Sequence, residues 1–203
     1  VQAETRRARA LYDRLAPRYD RMEQVANWLL LGRLRRQVLA AARGRTVEVA
    51  AGTGSNLPYY PPGMRPWLVD VSEGMLRRAV EKGAAGRVIL ADAEQLPFGD
   101  ATFATVVATL SGCTVADPLR YYAELGRVCR PDGRVLLLEH GLSSWRPLAA
   151  LQRLGLRRQL RRFACHGDRD AEALVRLAGL RLERSEQRAL GVLRLITARP
   201  AAG

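Results

Sequence analysis

The stretch Val47-Glu48-Val49-Ala50-Ala51-Gly52-Thr53-Gly54 decides the fold. A short β-prone run, residues 46–50, passes directly into a turn made of small residues. A ligand brought to the C-terminal end of a strand needs close backbone approach, and side chains this small permit it. Asp70 closes the next β-prone run, 16 residues beyond Gly54. An acid there can accept both hydroxyls of a ribose. Alone, the loop leaves the choice open, because dinucleotide-binding enzymes carry one and many such loops are plain tight turns.

Working outward, residues 67–71, 87–90, 103–110 and 134–139 read as further strands, apolar on both faces. Ser72 is a fitting N-cap for a helix over 73–82. Residues 118–129 form another, with Tyr121, Leu125 and Val128 spaced for one buried face. Strands alternating with helices predict a mostly parallel α/β sheet covered on both sides. The tail differs: a helix over 171–178, Gly179 just past its end, and strands over 180–186 and 192–198 separated by a short turn. That pair predicts an antiparallel hairpin at the sheet edge. Ahead of the turn, residues 4–15 predict a helix stopping before Pro17. Residues 22–43 predict a second, with an apolar patch at Trp28, Leu29, Leu30 and Leu31 and a weak point at Gly32.

With 203 residues and 48% hydrophobic content the chain can bury a full core, which excludes a disordered tail or a disulfide-stapled mini-protein. Of 33 basic residues only Lys82 is lysine. The +13 formal charge divides unevenly: net +7 over residues 1–45, −2 over 46–140 and +8 over 141–203. No zinc-finger spacing, RNP-like strand or basic zipper accompanies it, so nucleic acid is not the expected partner. An anionic membrane surface or an acidic substrate suits the same charge. No apolar run reaches 18 residues and no signal peptide is evident, so a cytoplasmic protein is expected. Cys113, Cys129 and Cys165 are widely spaced with no CxxC pair. They predict free, mostly buried thiols in a reducing compartment, with no metal.

Six segments in order carry a family resemblance. They are Tyr12-Asp13 with Ala16-Pro17-Arg18-Tyr19-Asp20; Glu48 to Gly54 with Asn56-Leu57-Pro58-Tyr59-Tyr60; Asp70-Val71-Ser72-Glu73-Gly74-Met75-Leu76; Asp92-Ala93-Glu94-Gln95-Leu96-Pro97-Phe98; Arg127-Val128-Cys129-Arg130-Pro131-Asp132-Gly133; and Leu138-Glu139-His140. Over residues 11–142 the chain resembles class I S-adenosylmethionine-dependent methyltransferases, in the branch of the ubiquinone/menaquinone C-methyltransferases, phospholipid N-methyltransferases and methyltransferase-like thiol methyltransferases. The resemblance implies a Rossmann-like seven-stranded sheet, order 3-2-1-4-5-7-6, with strand 7 antiparallel. It divides a single domain over 1–203 into a helical lid (1–43), a cofactor-binding core (44–140), an acceptor-side insertion (141–169) and a C-terminal helix and hairpin (170–203). The implied cofactor is S-adenosyl-L-methionine, with S-adenosyl-L-homocysteine as product.

Carried onto this sequence, the resemblance puts Gly52 and Gly54 at the methionine moiety, with Glu48 holding the loop and Ala50 and Asn56 beside it. Asp70 takes the ribose with Val71 next to it, and Met75 or Ser72 flanks the adenine. Asp92, Ala93 and Glu94 meet the adenine edge, while Tyr12 and Tyr19 cover the carboxylate end from the lid. Ala50 replaces the family's first loop glycine, accommodated if its φ is negative, and Phe103 is followed by Ala104 rather than an acid. Methyl transfer from a sulfonium is a direct displacement needing positioning, and a base only when the nucleophile starts protonated. His140, at the end of the fifth strand, is the candidate base, or else a supporting lid contact. Cys113 and His166 are candidates for the acceptor side. Residues 145–163 carry six arginines, no acid and interleaved leucines, the pattern of a cationic amphipathic surface helix or of a cap whose leucines pack inward. The expected function is methyl transfer to a small, hydrophobic or lipid-like acceptor. The alternative is a catalytically weak or inactive protein of this fold that binds RNA or a protein partner.

Overall fold

A computed structural model describes residues 2–201, except the side chains of residues 25–28. The Trp28 side chain and the outermost residues 1, 202 and 203 therefore lie outside the described residues. Seven strands, β1 (Thr46–Val49), β2 (Trp67–Asp70), β3 (Val88–Leu90), β4 (Phe103–Thr109), β5 (Cys129–His140), β6 (Leu180–Arg188) and β7 (Leu193–Pro200), form one sheet. Its order is β3-β2-β1-β4-β5-β7-β6. Strands β1 to β5 pair in parallel, and β7 runs antiparallel to both β5 and β6. This is the order and strand direction the sequence resemblance implies.

Alternation along β5 shows why the sheet is covered twice. Val135 and Leu137 pack with Tyr121, Tyr122 and Leu125 of helix α4 (Pro118–Val128) and Val175 of α6 (Ala171–Leu177). Leu136 and Leu138 point the other way, to Leu34, Val38 and Leu39 of α2 (Gly32–Leu39). Each such fully buried leucine contributes on the order of 2 kcal/mol. Helix α3 (Glu73–Ala79) starts at Ser72, whose Oγ accepts from the Met75 N–H at 3.2 Å.

The largest departures from the sequence reading are at the N-terminal helix and at the start of β5. Helix α1 runs Gln2–Ala26 without stopping at Pro17, then passes through a π-helical turn, Asn27–Leu31, into α2, which ends at Leu39. A proline inside a helix forfeits a hydrogen bond and crowds the preceding turn, at roughly 3 kcal/mol. Here tertiary packing offsets that cost: Ala16 is 2% exposed, and the backbone of Asp13 lies against Gly74 of α3. Strand β5 also begins earlier than expected, at Cys129, where Phe103 pairs with it ahead of an irregularity in the ladder. Helix α5 (Arg146–Phe163) buries only Ala149 and leaves Leu151 and Leu154 exposed. Its outer leucines thus face outward rather than into the core.

Candidate active site

The C-terminal ends of β1, β2 and β4 open onto a narrow cleft of about 90 Å³. Tyr12 and Tyr19 of α1 line it, as do Ala50 and Gly52 after β1, Asp70, Val71 and Met75 around the end of β2, and Asp92, Ala93 and Glu94 after β3. The carboxylate of Asp70 faces the turn. Gly52 N–H donates to its Oδ2 and Ser72 N–H to its Oδ1, each at 2.8 Å. Burial pushes this carboxyl up to about 6, although the N–H groups of Ser72, Gly52 and Val71 pull the other way. Gly52 has φ +56, and a Cβ there would meet nothing within 4 Å, so the space beside the carboxylate is open.

Ala50 departs from the sequence expectation. Its φ is +53, not negative. An L-residue in this left-handed region costs about 1–2 kcal/mol, and the turn holds it there because Ala51 N–H donates to Val69 O at 3.0 Å.

Glu48, Asn56 and Gly54 do not line the cleft; they build the turn from beneath. Glu48, 2% exposed, accepts from Tyr60 Oη at 2.8 Å and from Asn56 Nδ2 at 2.9 Å. Asn56 Oδ1 in turn accepts from Arg35 Nη1 at 2.7 Å. Burial pushes Glu48 up to about 7, against the pull of Tyr60, Asn56 and Arg35. Gly54 (φ +72) leaves space that a Cβ would take from Leu57 Cδ1, 2.8 Å away.

Helix α1 is fastened over this floor by groups the sequence reading did not single out. Asp13 Oδ1 accepts from Ser72 Oγ at 2.6 Å and from Gly74 N–H at 2.9 Å. Asp20 Oδ1 accepts from Thr53 Oγ1 and pairs with Lys82, both at 2.6 Å, and Ser55 Oγ donates to Glu23 at 2.8 Å. The signal was present: spacings of seven and three put Asp13, Asp20 and Glu23 on one side of a helix, provided the helix continues through Pro17.

A second cavity of about 420 Å³ adjoins the first. Arg7, Leu11 and Arg14 of α1, Leu160 and Arg161 of α5, Ala164 and His166 line it, and Ala8, Thr114, Val115 and Ala116 wall both cavities. The shared loop is held by Glu94 Oε1, which accepts from the N–H groups of Ala116 and Asp117 at 2.7 and 2.9 Å. Arg169 Nη1 donates to the carbonyls of Gly112 and Val115, both at 2.8 Å. Buried Glu139, pushed up to about 7 chiefly by burial, accepts from Gly112 N–H at 3.0 Å.

Cys113 and His140 line neither cavity. His140 Nε2 lies 3.1 Å from Cys113 Sγ and 3.2 Å from Cys165 Sγ, and Gln159 Nε2 donates to Cys165 Sγ at 3.1 Å. The hydrogen bond from Cys113, followed by contact with His140, holds the Cys165 thiol well below the usual thiol range despite burial. His140 is raised: burial pulls it down, but the Cys165 sulfur beside it outweighs that. All three thiols are free and buried, as expected, and Cys113 and Cys165 meet because β4 and β5 are neighbours and the chain after α5 returns to their ends. The Nε2 of His140, the candidate base, lies against both sulfurs.

Reversal of the last strand in an otherwise doubly wound sheet separates this topology from dinucleotide-binding enzymes, and it defines the class I methyltransferase fold. Residues 47–137 match the family model described as "Methyltransferase domain". The chain is 37% identical over 153 residues to the phosphatidylethanolamine N-methyltransferase of Cereibacter sphaeroides, across 72% of this chain and 74% of that protein. It is 32% identical over 174 residues to the demethylmenaquinone methyltransferase of Renibacterium salmoninarum, across 83% and 73%. A SAM-dependent methyltransferase of Thermotoga maritima shares the fold with a TM-score of 0.74 and 22% identity, covering 93% of this chain and 98% of that one. The chain therefore belongs to the class I S-adenosylmethionine-dependent methyltransferases. Its cofactor is S-adenosylmethionine, converted to S-adenosylhomocysteine.

Proposed function

We propose that the chain methylates a small, lipid-like acceptor held in the second cavity. The observation that carries this is the shared wall: Ala8, Thr114, Val115 and Ala116 border both spaces, so an acceptor in one is next to the cofactor in the other. The floor of the first cleft fits the cofactor. Asp70 would take the ribose hydroxyls and Gly52 leaves them room. Glu94 Oε2, buried and without a partner among the described residues, has capacity for a donor such as an adenine amino group. Tyr12 and Tyr19 would exclude water at the methionine end. When bound, the cofactor supplies a methyl already activated on a sulfonium. The chain's own task is then to align and desolvate the acceptor.

Leu11, Val115 and Leu160 give the second cavity an apolar wall, while Arg7, Arg14 and Arg161, against the single acid Glu4, suit an anionic head. Two relatives are named for lipid acceptors, a phospholipid and a menaquinone precursor. Helix α5 supports delivery from a surface, with six arginines, no acid, and exposed Trp145, Leu151 and Leu154. No helix among the described residues is long and apolar enough to cross a membrane. The reading places the protein in the cytoplasm, in peripheral contact with anionic lipid at the inner membrane face. The test is transfer of tritiated methyl from S-adenosylmethionine, with vesicles of phosphatidylethanolamine and phosphatidylglycerol and with a demethylated quinol as acceptors. Label in the organic extract is expected. A protein that binds cofactor yet labels neither lipid nor quinol overturns the acceptor assignment.

A further inference from the structure

Three soft or borderline ligand atoms from three separate segments converge beside the two cavities. Cys113 follows β4, His140 is the last residue of β5, and Cys165 follows α5. The Cys113 and Cys165 sulfurs and a His140 ring nitrogen all lie within 4.8 Å of one another. Zinc bonds of about 2.3 Å to sulfur and 2.0–2.1 Å to nitrogen place tetrahedral ligands roughly 3.5–3.8 Å apart. The observed 3.1 and 3.2 Å separations from His140 Nε2 to the two sulfurs need open by only a few tenths of an ångström.

The surroundings hold these ligands in place. Gln159 donates to Cys165 Sγ, the kind of N–H···S contact that orients a metal-bound thiolate. The Cys113 turn is tied down by Glu139 and Arg169, and Cys113 O accepts from His166 N–H at 2.8 Å. Leu110, three residues before Cys113, and Ala164, directly before Cys165, both adopt left-handed backbone (φ +56 and +50). The chain thus tolerates local cost on two sides to deliver these thiols. A divalent cation that displaces both thiol protons and binds a neutral His140 leaves the buried site with no net charge.

We propose that Cys113, His140 and Cys165 form a binding site for a single borderline-soft divalent cation of the Zn²⁺ type. Three protein ligands leave the fourth tetrahedral position to water or another small ligand, the pattern of reactive rather than closed structural sites. A His140 bound through Nε2 cannot also act as a base through that nitrogen. The site is independent of the acceptor assignment, and its test needs neither cofactor nor turnover.

The experiment titrates Co²⁺ into the reduced, metal-stripped full chain under anaerobic conditions, followed by Zn²⁺. One equivalent should bring up a sulfur-to-cobalt charge-transfer band with the visible bands of a tetrahedral site, and Zn²⁺ should abolish both. Cys113→Ser and Cys165→Ser should each weaken binding by more than the roughly 10–100-fold that a supporting residue costs. Cys129→Ser should leave binding unchanged. Should a serine variant fail to fold, alkylation of the unaltered chain followed by peptide mass spectrometry gives the same answer: Zn²⁺ should protect Cys113 and Cys165 but not Cys129. Absence of the charge-transfer band, its persistence in both serine variants, or alkylation indifferent to Zn²⁺ overturns the site. So does a Cys113–Cys165 disulfide in a chain that takes up no metal after reduction.

Discussion

Asp70→Asn tests the ribose contact most directly, because the change is nearly isosteric and its effects on fold and on binding separate. In the wild type both carboxylate oxygens accept a backbone N–H. The asparagine oxygen can keep Ser72 N–H, but its NH₂ then opposes the Gly52 N–H, losing a bond at about 1–3 kcal/mol. Against that stands the carboxylate, pushed up to about 6 by burial. Keeping it ionised at neutral pH costs the folded chain on the order of 3 kcal/mol. The two effects largely cancel, so the midpoint of thermal unfolding should move by only a few degrees. Binding has no such compensation. Two hydroxyls donating to an anion are worth about 1.5–3 kcal/mol each, against about 1 kcal/mol to a neutral amide oxygen. The loss of roughly 1–4 kcal/mol predicts a 5- to 700-fold rise in Kd for S-adenosylhomocysteine, measured by titration calorimetry. A folded variant that binds within threefold of wild type would refute the assignment of the ribose to Asp70.

The same carboxyl sets a pH dependence. Its folded value of about 6 lies above the unfolded value, so its share of stability is fully present below about pH 4 and is lost as pH rises through 6. Cofactor affinity should run the opposite way, level above pH 7 and falling up to about tenfold per pH unit below 6, as calorimetry in matched buffers will show. Ala50→Gly removes left-handed strain of about 1–2 kcal/mol but frees the unfolded chain, so urea unfolding should report a net gain of up to about 1 kcal/mol. Asp13→Ala breaks the two hydrogen bonds joining α1 to Ser72 and Gly74, and cofactor Kd should rise about tenfold with little change in global unfolding. An unchanged Kd would separate α1 from cofactor binding.

What could be read in the sequence was what local pattern controls. The turn after β1, the Ser72 cap and the antiparallel pairing of the last two strands depend on neighbours a few residues away. The strand order came from resemblance, because nothing local in Val135 or Leu137 says that β7 lies beside them. Pro17 misled for the same reason in reverse: a local break is overridden by Ala16 burial and by packing against Gly74, which belongs to an element some 60 residues away. Ala50 was visible as a departure, but the sign of its φ follows from the turn's hydrogen bonds. The approach of Cys113 to Cys165 needs the adjacency of β4 and β5 and the return of the chain after α5, so spacing along the sequence carried no trace of it.

Helix α1 joins two properties seldom found in one segment. It roofs the cofactor cleft, and its backbone carries Arg6, Arg7, Arg9, Arg14, Arg18 and Arg21. Each is a cleavage point for trypsin, and each is shielded only while the roof stays helical and seated. A cofactor touching Tyr12 and Tyr19 should therefore slow tryptic cleavage within the first two dozen residues, an outcome read on a gel without a substrate or a label.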